Sequence, residues 1–292
     1  MRSSARLGRV QVICFCAVCV LEVLRTPPES AFMKTIGVIT GISYVSGIDY
    51  YKGINERIAK LLPDGAVMPH NSEMVMFSVD CDVYVRYLKD NDTSGVQEYL
   101  AQAAHKLDLV GVDFIVIASN TAHICYSYLR ERFPKRPILH IVDCVAKVLP
   151  KGKVGLLGTE PTMREGSWIR ELLWFISERL ALHGFEVVVP AKEEDRQRCY
   201  DIICRELSFE IFSDASRNFF AEMAVELYQC GADAGVILGC TEIELLLRQS
   251  DVPDVPLHRS AELHIEAAAR IQAGADQLED YDPQAQVIEA KT

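Results

Sequence analysis

Two short turns hold the side chains best suited to acid–base chemistry. One reads Ser119-Asn120-Thr121-Ala122-His123 and follows the apolar run ending at Ala118; the other reads Gly239-Cys240-Thr241-Glu242-Ile243 and follows the run ending at Leu238. Cys240 stands at the expected start of a helix, just past a glycine that relaxes the backbone. A helix N-terminus favours a thiolate and lowers a thiol pKa from its usual ~8.5. Such a sulfur can act as nucleophile, metal ligand or proton-transfer base. No His/Cys ligand set clusters near it, and none of the cysteines forms paired CxxC motifs, so no metal is expected. Thr121, Thr241 and Thr159 sit where threonine commonly caps helices. Hydroxyls and free backbone N–H groups gathered at strand ends also make a cradle for a carboxylate. Glu242 can cap the helix or orient a substrate ammonium, and His123 reads as a helix-surface or core residue.

The elements that must position these turns follow a regular alternation. Strands are expected at 35–39, 73–77, 113–118 and 138–142, with helices at 48–62, 94–109 and 121–132 between them. The pattern then restarts, with strands at 153–157, 185–189, 234–238 and 255–257 and helices at 163–183, 195–207, 213–230 and 241–249; a helix at 261–273 closes the chain. Short apolar runs separated by amphipathic helices describe parallel sheets covered on both faces. Ile36-Gly-Val-Ile39 resembles Val154-Gly-Leu-Leu157, and Gly111-Val-Asp113 resembles Gly231-Ala-Asp233. Both offsets are about 120 residues, which points to a duplication. The fold class is therefore α/β, with two pseudo-symmetric parallel-sheet halves and a site between them. The expected divisions are an extension over 1–32, a first half over 33–150 onto which the helix at 261–273 packs back, a second half over 151–260, and a disordered acidic tail over 274–292.

Composition narrows the partners. The net charge of −11 argues against nucleic acid, which needs a basic face, while leaving a local site for a small anionic substrate possible. Of the ten cysteines, most of Cys81, Cys125, Cys144, Cys199, Cys204 and Cys230 fall in apolar patterns and read as reduced core thiols. Arg2, Arg6 and Arg9 precede an apolar run over 10–21 that is too short for a spanning helix. It has the order of a secretory signal with a poor cleavage site; its cysteines offer acylation sites, and Met33 is an alternative start. A cytoplasmic location with no stable membrane span is the expectation carried forward.

The ordered segments Met33-Lys-Thr-Ile-Gly-Val-Ile39, Tyr50-Tyr-Lys-Gly-Ile-Asn55, Ser78-Val-Asp80, Ser119-Asn-Thr-Ala-His123, Leu156-Leu-Gly-Thr159 with Thr162-Met163, Phe212 through Ser216-Arg217, and Gly239-Cys-Thr-Glu-Ile243 together resemble the cofactor-independent aspartate/glutamate racemases. They look most like the branch acting on L-aspartate and L-glutamate, and the likeness runs from about Met33 to Arg270. The resemblance implies two thiols flanking the substrate α-carbon, one taking the proton and the other returning one to the opposite face. It implies Cys240 as the second thiol, and Asn120, Thr121, Thr159, Thr162 and Thr241 at carboxylate-binding positions. It also implies an amino-acid substrate, no cofactor and a homodimer.

The chain departs from that pattern at the first thiol, where Ser119 stands. A hydroxyl is a far weaker acid than a thiol and makes a poor base near neutral pH. The aspartate/glutamate branch tolerates Thr there, so the expected outcome is slow or one-handed exchange at the Ser119 face. Thr40-Gly41-Ile42-Ser43-Tyr44 replaces the usual Gly-Gly-Met run, a lysine carried by some members is replaced near Phe209-Glu210, and Arg164 is the candidate cation for a distal carboxylate. The rival readings are a single-cysteine decarboxylase or cis–trans isomerase of small dicarboxylic acids, and a catalytically impaired amino-acid-binding protein.

Overall fold

A computed structural model describes residues 33–62, 68–159 and 175–282. The expected segments at 1–32 and 283–292, together with Thr162 and Arg164, lie outside the described residues.

Among the described residues, eight strands form two four-stranded sheets of the same order. β1 (Ile36–Thr40), β2 (Met74–Ser78), β3 (Phe114–Ile117) and β4 (Ile138–Leu139) pair as β2-β1-β3-β4. β5 (Lys153–Gly158), β6 (Glu186–Val188), β7 (Val236–Gly239) and β8 (Leu257–Arg259) pair as β6-β5-β7-β8. Every pairing is parallel. The strand alternation explains the continuous apolar runs. Ile36 and Val38 of β1, with Phe114 and Val116 of β3, pack on one face, while Ile39, Ile115 and Ile117 pack on the other. In β7, Val236 and Leu238 enter one core and Ile237 the opposite one. A strand buried on both faces has no polar side to show, so its sequence carries no alternation.

The helices are α1 (Tyr44–Leu61), α2 (Cys81–Lys89), α3 (Thr93–Leu109), α4 (Tyr126–Arg132, entered through a 3-10 turn at Thr121–Cys125), α5 (Ile141–Val148), α6 (Phe175–Leu182), α7 (Glu193–Arg205), α8 (Asp214–Gln229), α9 (Thr241–Leu246) and α10 (Ser260–Gln272). Side chains cap many of them: Ser43 accepts from Ser46 N–H, Asp80 from Asp82 N–H, Asp92 from Gly95 N–H and Ser213 from Ser216 N–H. α10 packs against α1 and α5, placing Ala261, Ile265 and Ala268 in one core with Tyr50 and Ile54. None of the helices among the described residues is long and apolar enough to cross a membrane.

Three expectations need correction. Helix α2 was not anticipated, because Val83, Tyr84, Val85 and Tyr87 lower helix propensity; the Asp80 cap and burial of Tyr84 override that weak preference. The expected strand at 138–142 ends at Leu139, since His140 accepts from Val142 N–H and starts α5. The chain after Gly274 is not loose as far as it is described. Asp276 accepts from Arg270 Nε at 2.9 Å and Nη2 at 2.8 Å, and Tyr281 donates to Asp276 at 2.6 Å with its ring buried under Lys147.

Candidate active site

The carboxyl ends of β1, β3, β5 and β7 open onto one cavity of about 350 Å³. Ser43 and Ser46 come from the turn and first residues after β1, Ser119, Asn120 and Thr121 from the turn after β3, Thr159 from the end of β5, and Gly239 to Glu242 from the turn after β7. Thr121 Oγ1 lies 3.3 Å from Thr159 Oγ1, and Ser46 Oγ lies 2.6 Å from Thr241 Oγ1. With β1 matched to β5 and β3 to β7, these two hydroxyl pairs are counterparts: each joins a β1-type turn to the β3-type turn of the other half. The two reactive turns therefore share one cleft.

Cys240 is 7% exposed and has extended backbone, φ −146° and ψ 131°, at the N-cap of α9. Its thiol donates to Glu242 Oε2 at 2.9 Å. The same carboxylate accepts from Thr241 Oγ1 at 2.8 Å and from Ser46 Oγ at 3.3 Å. Burial pushes the Cys240 thiol well above its ordinary range, and the neighbouring Glu242 charge and its hydrogen bond add to the effect; the N–H groups of Glu242 and Ile243 oppose it and are outweighed. This corrects the expectation of a thiolate poised by a helix N-terminus. α9 is six residues long, and the sulfur rests as a thiol hydrogen-bonded to a carboxylate.

Ser119 is 9% exposed, and its Oγ accepts weakly from Ala122 N–H at 3.4 Å. Among the described residues it has nothing like the Cys240–Glu242 pairing. His123 braces this turn from behind: Nδ1–H donates to the Ser119 carbonyl at 2.8 Å, and Nε2 accepts from Ile141 N–H at 3.2 Å. That arrangement holds a neutral ring, and burial lowers its pKa to about 4. Asn120 Nδ2 donates to Ser260 Oγ at 2.9 Å, and Ser260 in turn donates to Leu238 O at 2.7 Å, so β7 and α10 fix the amide. Glu244 anchors α10 by accepting from Ala261 N–H at 2.7 Å.

The cavity also gathers residues that sequence reasoning passed over. Cys81 and Lys89 of α2 and Cys204 of α7 line it. Cys81 is exposed and Cys204 half-buried, so neither is the core thiol expected, and Cys230 is exposed as well; Cys125, Cys144 and Cys199 are buried. A usable signal was present: Cys81, Tyr84, Val85 and Leu88 have the spacing of one helical face, and all four line the cavity.

Comparison with known proteins accords with this architecture. Residues 39–268 match the family model for Asp/Glu/hydantoin racemases. The chain belongs to that family. Racemases are isomerases, and solved members share the two-sheet fold. This Asp/Glu/hydantoin racemase family member is similar to a Yersinia pestis protein assigned to the Asp/Glu racemases, with 32% identity, a TM-score of 0.70, and coverage of 82% of this chain and 99% of that one. It is also similar to an aspartate racemase homologue from Pyrococcus horikoshii OT3, at 29% identity and a TM-score of 0.64 over 82% of this chain and all of the other (100%). The broad specificity amino-acid racemase RacX of Bacillus subtilis is 29% identical over 141 residues, which span 47% of this chain and 60% of that protein.

Proposed function

We propose that the protein is a cofactor-independent amino-acid racemase that exchanges the α-hydrogen of its substrate through Cys240, with Ser119 on the opposite face. The observation that carries this reading is the convergence of Cys240 and Ser119, from matching strand ends of the two halves, on one cavity.

The chemistry follows from the resting state. The Cys240 thiol and the Glu242 carboxylate share one proton across 2.9 Å. In the base direction Glu242 takes the thiol proton while the sulfur takes the Cα proton. The pair ends with both protons, and the substrate becomes a planar carbanion whose charge spreads into its carboxylate. In the acid direction the thiol returns its proton to the same face. The other face meets Ser119, a hydroxyl with no carboxylate partner among the described residues. It, or water beside it, gives its proton to the carbanion and is re-protonated from solvent, which takes up the surplus proton of the Cys240–Glu242 pair; this step is slow, so α-hydrogen exchange is faster from the enantiomer whose hydrogen faces Cys240. Asn120, Thr121, Thr159 and Thr241 cradle the α-carboxylate, with Thr162 added from the resemblance. Glu242 acts as the proton partner of the sulfur.

Aspartate and glutamate are the substrates the resemblance implies. Lys89 is the cationic side chain among the described residues lining the cavity, and a distal carboxylate would meet it there. The homodimer is checked by size-exclusion chromatography with light scattering.

The test is incubation of the purified protein with each enantiomer of aspartate and glutamate in D2O, following α-hydrogen loss by NMR and handedness by chiral chromatography. Exchange with inversion is expected, faster from one enantiomer than from the other. Exchange should vanish in Cys240→Ser. Release of carbon dioxide from a malonate-type acid would point instead to a decarboxylase, and stabilisation by an amino acid without any exchange to a binding protein.

A further inference from the structure

The cavity is larger and less polar than an acidic amino acid requires. Its roughly 350 Å³ equals the volume of about a dozen waters at ~30 Å³ each. Beyond the polar turns, its wall is built mainly by Tyr84, Val85 and Leu88 of α2, Ile203 of α7, Ile124 of the 3-10 turn and Ile42 after β1; Tyr200 of α7 and Ser208 add two hydroxyls, that of Ser208 donating to the Ile203 carbonyl. Tyr84, Ile124 and Ile203 are buried there, whereas Val85, Leu88 and Ile42 are half-buried. Cys81, at the exposed edge of this wall, and the half-buried Cys204 complete it, and partial desolvation raises both thiols above their ordinary range. Among the described lining residues, charge is confined to Glu242, which is bonded to Cys240, and to Lys89, which is exposed at the end of α2. Such a wall rewards burial of hydrocarbon removed from water. Apart from Lys89 at its edge, it offers a charged side chain little to replace its hydration.

We infer that the face formed by α2, α7 and the turn after Ser119 is a side-chain subsite for apolar amino acids of the size of leucine, methionine or phenylalanine, so that turnover is not confined to aspartate and glutamate. The inference rests on the racemase reading of the same site. The α-carbon sits between Cys240 and Ser119 whatever the side chain, because the carboxylate cradle and the reactive pair contact only groups that all α-amino acids share. The side chain then projects away from the four strand ends, toward Leu88 and Ile203.

Its test is the D2O exchange experiment with both enantiomers of leucine, methionine and phenylalanine beside aspartate and glutamate. The expected result is kcat/KM for at least one apolar amino acid no lower than one tenth of that for aspartate. Exchange of aspartate or glutamate with every apolar value below one tenth would overturn the subsite while leaving the racemase reading intact. If no amino acid exchanges, the racemase reading falls, and the subsite is decided by thermal stabilisation. A rise in Tm with leucine or phenylalanine and not with aspartate would uphold it, and the absence of such a rise would overturn it. Substitution adds an independent measure. Leu88→Arg, or Val85→Arg should the first fail to fold, places a second cation on this wall and should lower the leucine-to-aspartate ratio of kcat/KM at least tenfold. An unchanged ratio would place the side chain elsewhere and overturn the subsite.

Discussion

Residues two apart in sequence set the chemistry of this site. Cys240 has extended backbone at the N-cap and a proton partner in the Glu242 carboxylate; Thr241 donates to the same oxygen and Ser46 to the other. The same carboxylate keeps the thiol protonated at rest and would receive its proton during turnover. Glu242→Gln separates these effects. Removing the charge should make Cys240 more acidic, so its alkylation at neutral pH, followed by peptide mass spectrometry, should speed up several-fold. Exchange should fall by about 10²–10⁴, the usual contribution of a positioned acid–base group. Faster alkylation with undiminished exchange would remove Glu242 from the relay. Ser119→Cys tests the opposite face. It should raise the slower direction of exchange at least tenfold, and no gain would mean that Ser119 does not face Cα. Tyr84 carries a buried hydroxyl with no hydrogen-bond partner among the described residues. Tyr84→Phe should therefore be neutral or stabilising by up to about 1 kcal/mol in urea unfolding.

At the scale of elements, short helices and tight turns decide where these side chains point. α9 is six residues long and follows β7 after Cys240 alone, so its first residues, Thr241 and Glu242, line the cavity at the sheet end and meet Ser46. Gly41 makes the turn after β1 with φ +90°, and a Cβ there would collide with the Val79 carbonyl. Gly41→Ala should cost about 1–3 kcal/mol in urea unfolding, through a strained backbone and a displaced β2–α2 connection. Loss of stability below a few tenths of a kcal/mol would show that the turn can rearrange. The helix α2 carries the apolar wall and Lys89, and it was hidden from sequence reading by its β-branched and aromatic residues. Cys81, Tyr84, Val85 and Leu88 nonetheless kept a helical period, which was the legible trace of that wall.

Across the whole molecule, three buried histidines stitch the first sheet to α5 and α10. The His123 ring lies 4.6 Å from that of His140 and 5.7 Å from that of His264. His264 accepts from Tyr50 at 2.7 Å and donates to the Leu139 carbonyl at 3.1 Å. Burial pushes His140 and His264 well below the ordinary range and His123 to about 4. Their folded pKa values are depressed, so the unfolded chain binds protons first as pH falls below ~6.5. Stability present above that pH should be lost progressively down to about 4, with His123 alone accounting for on the order of 3 kcal/mol. Urea midpoints compared at pH 7.5 and pH 5 should show the drop. A flat profile would mean that these rings are protonated, or reached by water, in the folded state.

Period and composition by themselves determined the duplicated α/β plan and the turns bearing Ser119 and Cys240, because strands buried on both faces must be continuously apolar and parallel strands must alternate with helices. Those signals are local, carried by neighbouring residues. Only the tertiary structure decided that Cys240 rests as a thiol on Glu242, that α2 and α7 wall the cavity, and that His123 serves as a brace. Burial, hydrogen-bond partners and pKa depend on groups far away in the chain, such as Ser46 with Thr241 or Asn120 with Ser260, and no spacing in the sequence records which of them meet.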